Sequence, residues 1–137
     1  MDSFGMLEVS ASALKAQRER MDAIASNMAN ASSTRSEEGG PYKKREVVFS
    51  TMPVEDGKQE LEGVQVSSVV KENDFQKVYD PSNPDAGKDG FVKMPDINVI
   101  EEMVNMMTAY RAYEASVSTF NASKAMFSKA LELGGQQ

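Results

Sequence analysis

The chain has no cysteine, no histidine and no tryptophan among its 137 residues. Without cysteine there is no disulfide, no thiolate metal site and no cysteine nucleophile. Without histidine the commonest general base and the commonest metal ligand are missing. Aromatic residues make up only 7% of the chain, so any compact core is modest. No apolar run exceeds three residues. A membrane-spanning helix needs about 20, and a secretory signal also needs a long apolar stretch, so neither membrane insertion nor a cleaved signal peptide is expected. Positive charge is also scarce: 15 Lys and Arg stand against 21 Asp and Glu, for a net charge of −6. Phosphate backbones are held by Lys and Arg, so nucleic acid is not an expected partner. The one basic cluster, Lys43-Lys44-Arg45, runs into Val47-Val48-Phe49 and reads as a solvated strand edge, where lysine discourages unwanted pairing.

Little in the sequence points to catalysis. Glu37-Glu38 and Glu101-Glu102 are adjacent pairs whose side chains diverge, and they read as surface charge or as helix-start electrostatics. The stretch from Asp85 to Asp96 places Gly90 at the sixth position of a possible calcium loop. Gly87 stands where an oxygen ligand is wanted, Asp96 replaces the bidentate Glu, and no helix precedes the loop, so a glycine-shaped turn is expected instead. Gly39-Gly40-Pro41 is followed by Tyr42 and not by the Lys-Ser/Thr of a phosphate-cradling loop. No cofactor, metal site or enzymatic activity is expected.

What the sequence has in quantity is heptad patterning at its two ends. Leu7, Leu14, Met21 and Met28 fall seven residues apart, with Phe4, Ala11, Ile24 and Ala31 three or four residues from them. Towards the C-terminus the series runs Val99, Met103, Met106, Tyr110, Tyr113, Val117, Phe120, Lys124, Phe127, Leu131, and only Lys124 breaks its apolar character. Such spacing draws a narrow apolar stripe along a helix, and the stripe requires a partner. Helices over 4–31 and 98–133 would be about 42 and 54 Å long. A compact chain of this size has a radius of gyration of about 14 Å, so an elongated subunit that meets other subunits is expected. Ten methionines are many for this length, and those at heptad spacing fit packing between helices.

The predicted fold is α+β. A helical, coiled-coil-like domain is formed by an N-terminal helix within residues 1–35 and a C-terminal helix within 96–137. A β-rich middle lies between them at 36–95. Small and polar residues over 25–34 permit close helix approach and end the first helix, and Glu37–Pro41 turns the chain. Lys43–Thr51 and Val64–Glu72 read as strands with a turn near Asp56-Gly57, and Phe75–Tyr79 as a short third. Residues 81–90 read as irregular loop. Asn98 with Glu101 opens the second helix like a capping box, and Gly134-Gly135 closes it. The expected seam packs Leu7, Leu14, Met21, Ile24 and Met28 against Met103, Tyr110, Val117, Phe120 and Phe127. Asn27, Asn30, Met106, Tyr113 and Leu131 complete the candidate assembly interface.

Ala25-Ser26-Asn27-Met28-Ala29-Asn30-Ala31 resembles the Ala-x-Asn-Leu-Ala-Asn signature near the N-terminus of bacterial flagellar rod and hook proteins. Further blocks are similar to basal-body rod proteins of the proximal rod in particular. They are Gly40-Pro41-Tyr42 with Val47-Val48-Phe49, Val78-Tyr79-Asp80-Pro81 with Asn83-Pro84, Gly90–Pro95, and Ala109–Ala115. Phe91 stands where Tyr is common, and Asp96 where Asn is expected.

The resemblance implies a structural subunit of the rod, the drive shaft that crosses the periplasm and surrounds the export channel. It implies export by the flagellar type III apparatus without signal cleavage, and homo- and hetero-oligomerisation in a helical assembly. The implied partners are other rod subunits and the rod-to-MS-ring junction protein. Terminal helices whose stripes are satisfied only by neighbours can order on assembly after passing a narrow channel. The rival readings are a cytoplasmic coiled-coil adaptor or secretion chaperone, which would not be exported, and a small enzyme or metal-binding domain, for which no converging polar pocket is evident.

Overall fold

A computed structural model describes residues 3–56 and 59–136. Helix α1 spans Ser3–Ala29, strand β1 Arg45–Asp56, β2 Gln59–Lys71, β3 Phe75–Tyr79, β4 Phe91–Pro95, and helix α2 Val99–Gly134. The α+β class and the two terminal helices are as the heptads predict, with bounds shifted by a residue or two. β1 and β2 extend further towards each other than their valine-rich centres suggest.

α2 begins where its cap says it should. The Asn98 side chain accepts from the amides of Ile100 and Glu101, 3.1 and 3.3 Å away, satisfying two of the orphan donors of the first turn. α1 ends as Asn30 Nδ2 bonds the Ser26 carbonyl and Ser33 Oγ bonds Asn30 Oδ1, so side chains take over the backbone's partners. Gly39 and Gly40 then adopt positive φ of 83° and 75°, turning the chain into Pro41.

β1 and β2 form a long antiparallel hairpin whose register shifts at a bulge between Val48 and Phe49. β3 and β4 form a second, short hairpin, with Lys77 opposite Lys93 and Tyr79 opposite Phe91. The sequence reading missed β4 because a five-residue run between Gly90 and Asp96 has no signal of its own; only its partner, across the 80–90 loop, makes it a strand.

α1 is the axis of the subunit. α2 packs along it, and so does the β1–β2 hairpin, whereas among the described residues the backbone of α2 stays clear of every strand. The hairpin approaches α1 closely at Gly63, where an added Cβ would lie 2.7 Å from Ser12 Oγ. There Ser12 Oγ accepts from the Val64 amide at 3.1 Å and donates to the Val9 carbonyl at 2.7 Å. Few side chains are fully buried, among them Ala16, Ile24, Val54, Val92 and Ala109. The accessible surface is 9489 Å². A compact protein of 15.0 kDa would expose about 7,000 Å², so this chain leaves much surface for others to cover.

Candidate assembly interface

The face of α2 that meets α1 carries the buried residues Glu102, Ala109 and Ser123, seven or fourteen residues apart, with Met106, Tyr113, Phe120 and Phe127 half-buried beside them. One half of the heptad series thus falls on the face towards α1. The other half is shifted by one residue: small or polar side chains hold the positions next to Met103 and Tyr110. Ala109 and Ser123 have little volume, which lets the two backbones approach.

Across from this face, Leu7, Leu14, Met21 and Met28 of α1 are half-buried, Ile24 and Asn27 are buried, and Asn30 is half-buried. Val117 is also half-buried. Met103, Tyr110 and Leu131 face away from α1 and are 53%, 53% and 61% exposed. Met103 and Tyr110 fall on one side of α2 with Ile100, Val104 and Met107, all between 53% and 73% exposed. Their spacing of three, four and seven residues makes a continuous apolar stripe on the side opposite Glu102 and Ala109. α2 therefore has two faces that require packing, and among the described residues α1 covers one.

Beneath the N-terminal end of the stripe lies a buried polar hub. Asn27 is 1% exposed and uses every hydrogen-bonding position of its amide. Nδ2 donates to the Arg45 carbonyl at 2.9 Å and to Glu102 Oε2 at 3.1 Å. Oδ1 accepts from the Arg45 amide at 2.8 Å and from the Tyr42 hydroxyl at 3.0 Å. The side chain thus grips Arg45 as a neighbouring strand would, at the first residue of β1, while holding the first turn of α2.

Glu102 is 2% exposed. Its Oε1 accepts from Asn105 Nδ2 at 3.4 Å and lies 3.6 Å from Lys44 Nζ. Burial disfavours the Lys44 ammonium, but the carboxylates of Glu102, Glu72, Glu46 and Glu101 outweigh it and hold the Lys44 pKa above the ordinary lysine value. Two sequence-based expectations are corrected here. Lys44 is not a solvated edge lysine: its side chain is 17% exposed and turned onto Glu102. Glu102 is not surface charge, because the helix start that exposes Glu101 buries its neighbour. Residues 102, 109, 116 and 123 form a seven-residue series, and reading that frame beside the apolar one would have placed Glu102 inside.

A third feature joins the loops. Thr34 Oγ1 donates to Asp85 Oδ2 at 2.8 Å and Arg35 Nη2 to Asp85 Oδ1 at 2.5 Å, clasping the segment after α1 to the 80–90 loop. The Thr34 hydrogen bond and then the Arg35 guanidinium hold the Asp85 carboxyl below its usual range. Gly90, at φ 80°, sits beneath the Tyr79 ring, where a Cβ would meet Cε2 at 2.8 Å. Its conformation is the glycine-shaped turn expected there.

In this geometry the buried charges of the hub neutralise one another, and the exposed stripe above them is apolar. Comparison with known proteins gives the arrangement its setting. Residues 7–35 match the family described as flagella basal body rod protein, and residues 88–133 the family described as flagellar basal body rod FlgEFG protein C-terminal. The chain is 40% identical to the flagellar basal-body rod protein FlgC of Bacillus subtilis, covering 98% of this chain and 99% of the relative. It is 41% identical to FlgC of Salmonella typhimurium over the same shares, and 37% identical to FlgC of Borreliella burgdorferi over 97% and 98%. The chain belongs to the FlgC family of flagellar basal-body rod proteins. It is a structural rod subunit.

In this FlgC-family chain the two matched stretches are the two halves of the helical pair. The first contains Asn27 and the clasp residues Thr34 and Arg35; the second contains Glu102 and the exposed stripe. Tyr42, Lys44 and Arg45, which complete the hub, lie between them. The Ala-Ser-Asn segment of the family signature is where α1 presents a small surface and one fully engaged amide to the rest of the subunit.

Proposed function

We propose that this protein builds the proximal part of the flagellar rod by packing its terminal helices, residues 1–35 and 96–137, against those of neighbouring subunits around the export channel, while residues 36–95 form the outer contact surface. In this reading it is exported by the flagellar type III apparatus without signal cleavage and resides in the periplasmic rod. There it transmits torque, contacting other rod subunits and the rod-to-MS-ring junction protein. It acts without enzymatic chemistry, nucleic acid or membrane insertion. The observation that carries the proposal is the apolar stripe Ile100, Met103, Val104, Met107 and Tyr110, each more than half exposed among the described residues. A soluble adaptor that stays monomeric would leave this surface in water, where burying each large side chain is worth about 1.5–3 kcal/mol.

The test is Met103→Asp with Met107→Asp in cells lacking the chromosomal copy. Both positions are more than half exposed, so the two substitutions together change the stability of the isolated variant by about 1 kcal/mol or less. Swimming is lost and basal bodies stop before the rod is complete. Normal swimming with this variant would refute the proposal.

A further inference from the structure

One like-charged pair in the hairpins is unexplained by the described residues of the isolated subunit. Lys77 and Lys93 stand directly opposite each other in the β3–β4 register, and both are exposed. Like charges in that relation destabilise a hairpin. Lys93 turns away from its neighbour onto the Phe75 ring, 4.8 Å from the centroid. Among the described residues neither lysine has a carboxylate within 4.0 Å. They border an open cleft of about 400 Å³ together with Arg35, Pro41, Asp85 and Phe91. Its carboxylates are engaged, Asp85 by Thr34 and Arg35, Asp89 Oδ1 by the Phe91 amide.

The opposite sign is found at the far end of the other hairpin. Residues 55–62 carry four carboxylates and one lysine, and Glu55 stands opposite Glu60 in the β1–β2 register. Glu60 and Glu62 are exposed. One chain cannot bring the two ends together. The β1–β2 hairpin runs back along α1 from Arg45 at Asn27 to Gly63 at Ser12, fifteen helical residues or about 22 Å. From Gly63 it continues to Gln59, about 13 Å more. The lysine cleft lies the other way, beyond the C-terminal end of α1.

We infer that the acidic end of the β1–β2 hairpin of one copy docks in the Lys77–Lys93 cleft of a second copy. The contact uses two different patches of the same chain, so it is heterologous and propagates head to tail. The opposed lysines, unfavourable within a subunit, are neutralised across the joint by Glu60 and Glu62. The inference rests on the rod-subunit reading for its setting, but the contact itself is tested in solution.

The experiment is carbodiimide coupling of the purified full-length protein at low ionic strength, where the Debye length is about 30 Å at 0.01 M, with linked peptides identified by mass spectrometry. The expected product is a dimer joined between Lys77 or Lys93 and Glu60 or Glu62. Yield falls by roughly tenfold or more in Lys77→Glu/Lys93→Glu and equally in Glu60→Lys/Glu62→Lys, and returns when the two variants are mixed. Absence of a dimer from the wild-type chain, a dimer linked elsewhere, or no return on mixing would overturn the inference. The wild-type map decides even if a variant folds poorly. Failure here leaves the rod-subunit reading to its own test, swimming with the α2 stripe variant.

Discussion

Replacing Asn27 by alanine removes one small side chain and disturbs three segments at once. Four hydrogen bonds disappear, to the Arg45 amide, the Arg45 carbonyl, the Tyr42 hydroxyl and Glu102. Tyr42 keeps Ser26 as a neighbour at 3.0 Å, and Glu102 keeps Lys44 and Asn105, so neither is left wholly alone. The two backbone groups of Arg45 lose their side-chain partner. A neutral hydrogen bond contributes about 0.5–1.5 kcal/mol and one to a charged group about 1.5–3, and the four are not additive because water enters the gap. The expected loss is about 3–5 kcal/mol, a large share of the 5–15 kcal/mol typical of a domain. Urea unfolding should show a lower midpoint at unchanged slope, and amide exchange at Arg45 should accelerate. Asn30→Ala is the control. Its side chain bonds only Ser26 and Ser33 at the helix end, so the loss should be about 1 kcal/mol. If Asn27→Ala costs no more than Asn30→Ala and Arg45 exchanges as before, the hub is not what holds α1, β1 and α2 together.

Three further outcomes follow from the same geometry. Lys44→Met leaves Glu102 buried without its cation and should cost about 2 kcal/mol, since Asn27 still binds the carboxylate. The raised Lys44 pKa means that its contribution is full below pH 10.5 and fades as the pH rises through the folded value, so the variant should lack that alkaline loss of stability in pH-dependent unfolding. Asp85 has the opposite sign: its lowered pKa stabilises above pH 3.8 and the effect is lost as the pH falls through the folded value. Asp85→Asn should therefore open the clasp at neutral pH, seen as faster amide exchange over residues 83–87, and unchanged exchange would count against it. Gly63→Ala forces Ser12 Oγ from its two partners and should cost about 1–3 kcal/mol. Combining it with Ser12→Ala should recover part of that loss in a double-mutant cycle, whereas strict additivity would mean that the two residues do not press on each other.

The sequence made the helical ends legible because apolar residues at heptad spacing have one simple physical meaning. It made half of the face towards α1 legible for the same reason: Met106, Tyr113, Phe120 and Phe127 are bulky and correctly phased. The other half was misplaced because close backbone approach selects small residues, and Ala109 and Ser123 give no hydrophobic signal. The hub was invisible for a different reason. Asn27, Lys44 and Glu102 are polar residues separated by up to 75 positions, and only the fold makes partners of them. The family signature pointed to Asn27, but it carried no information about which atoms the amide would meet.

The polar hub has a mechanical consequence. Two long helices joined by a repeating apolar seam can slide: moving α2 along α1 by one heptad, about 10.5 Å, would set methionine and phenylalanine against nearly equivalent positions at small cost. Glu102 has no second copy seven residues on, where Ala109 stands, and Asn27 has none either. A slipped pair would strand a buried carboxylate and a buried amide together. The hub acts as a pin through two sliding rods, so a few hydrogen bonds, more than the area of the seam, fix the length of the subunit along its axis.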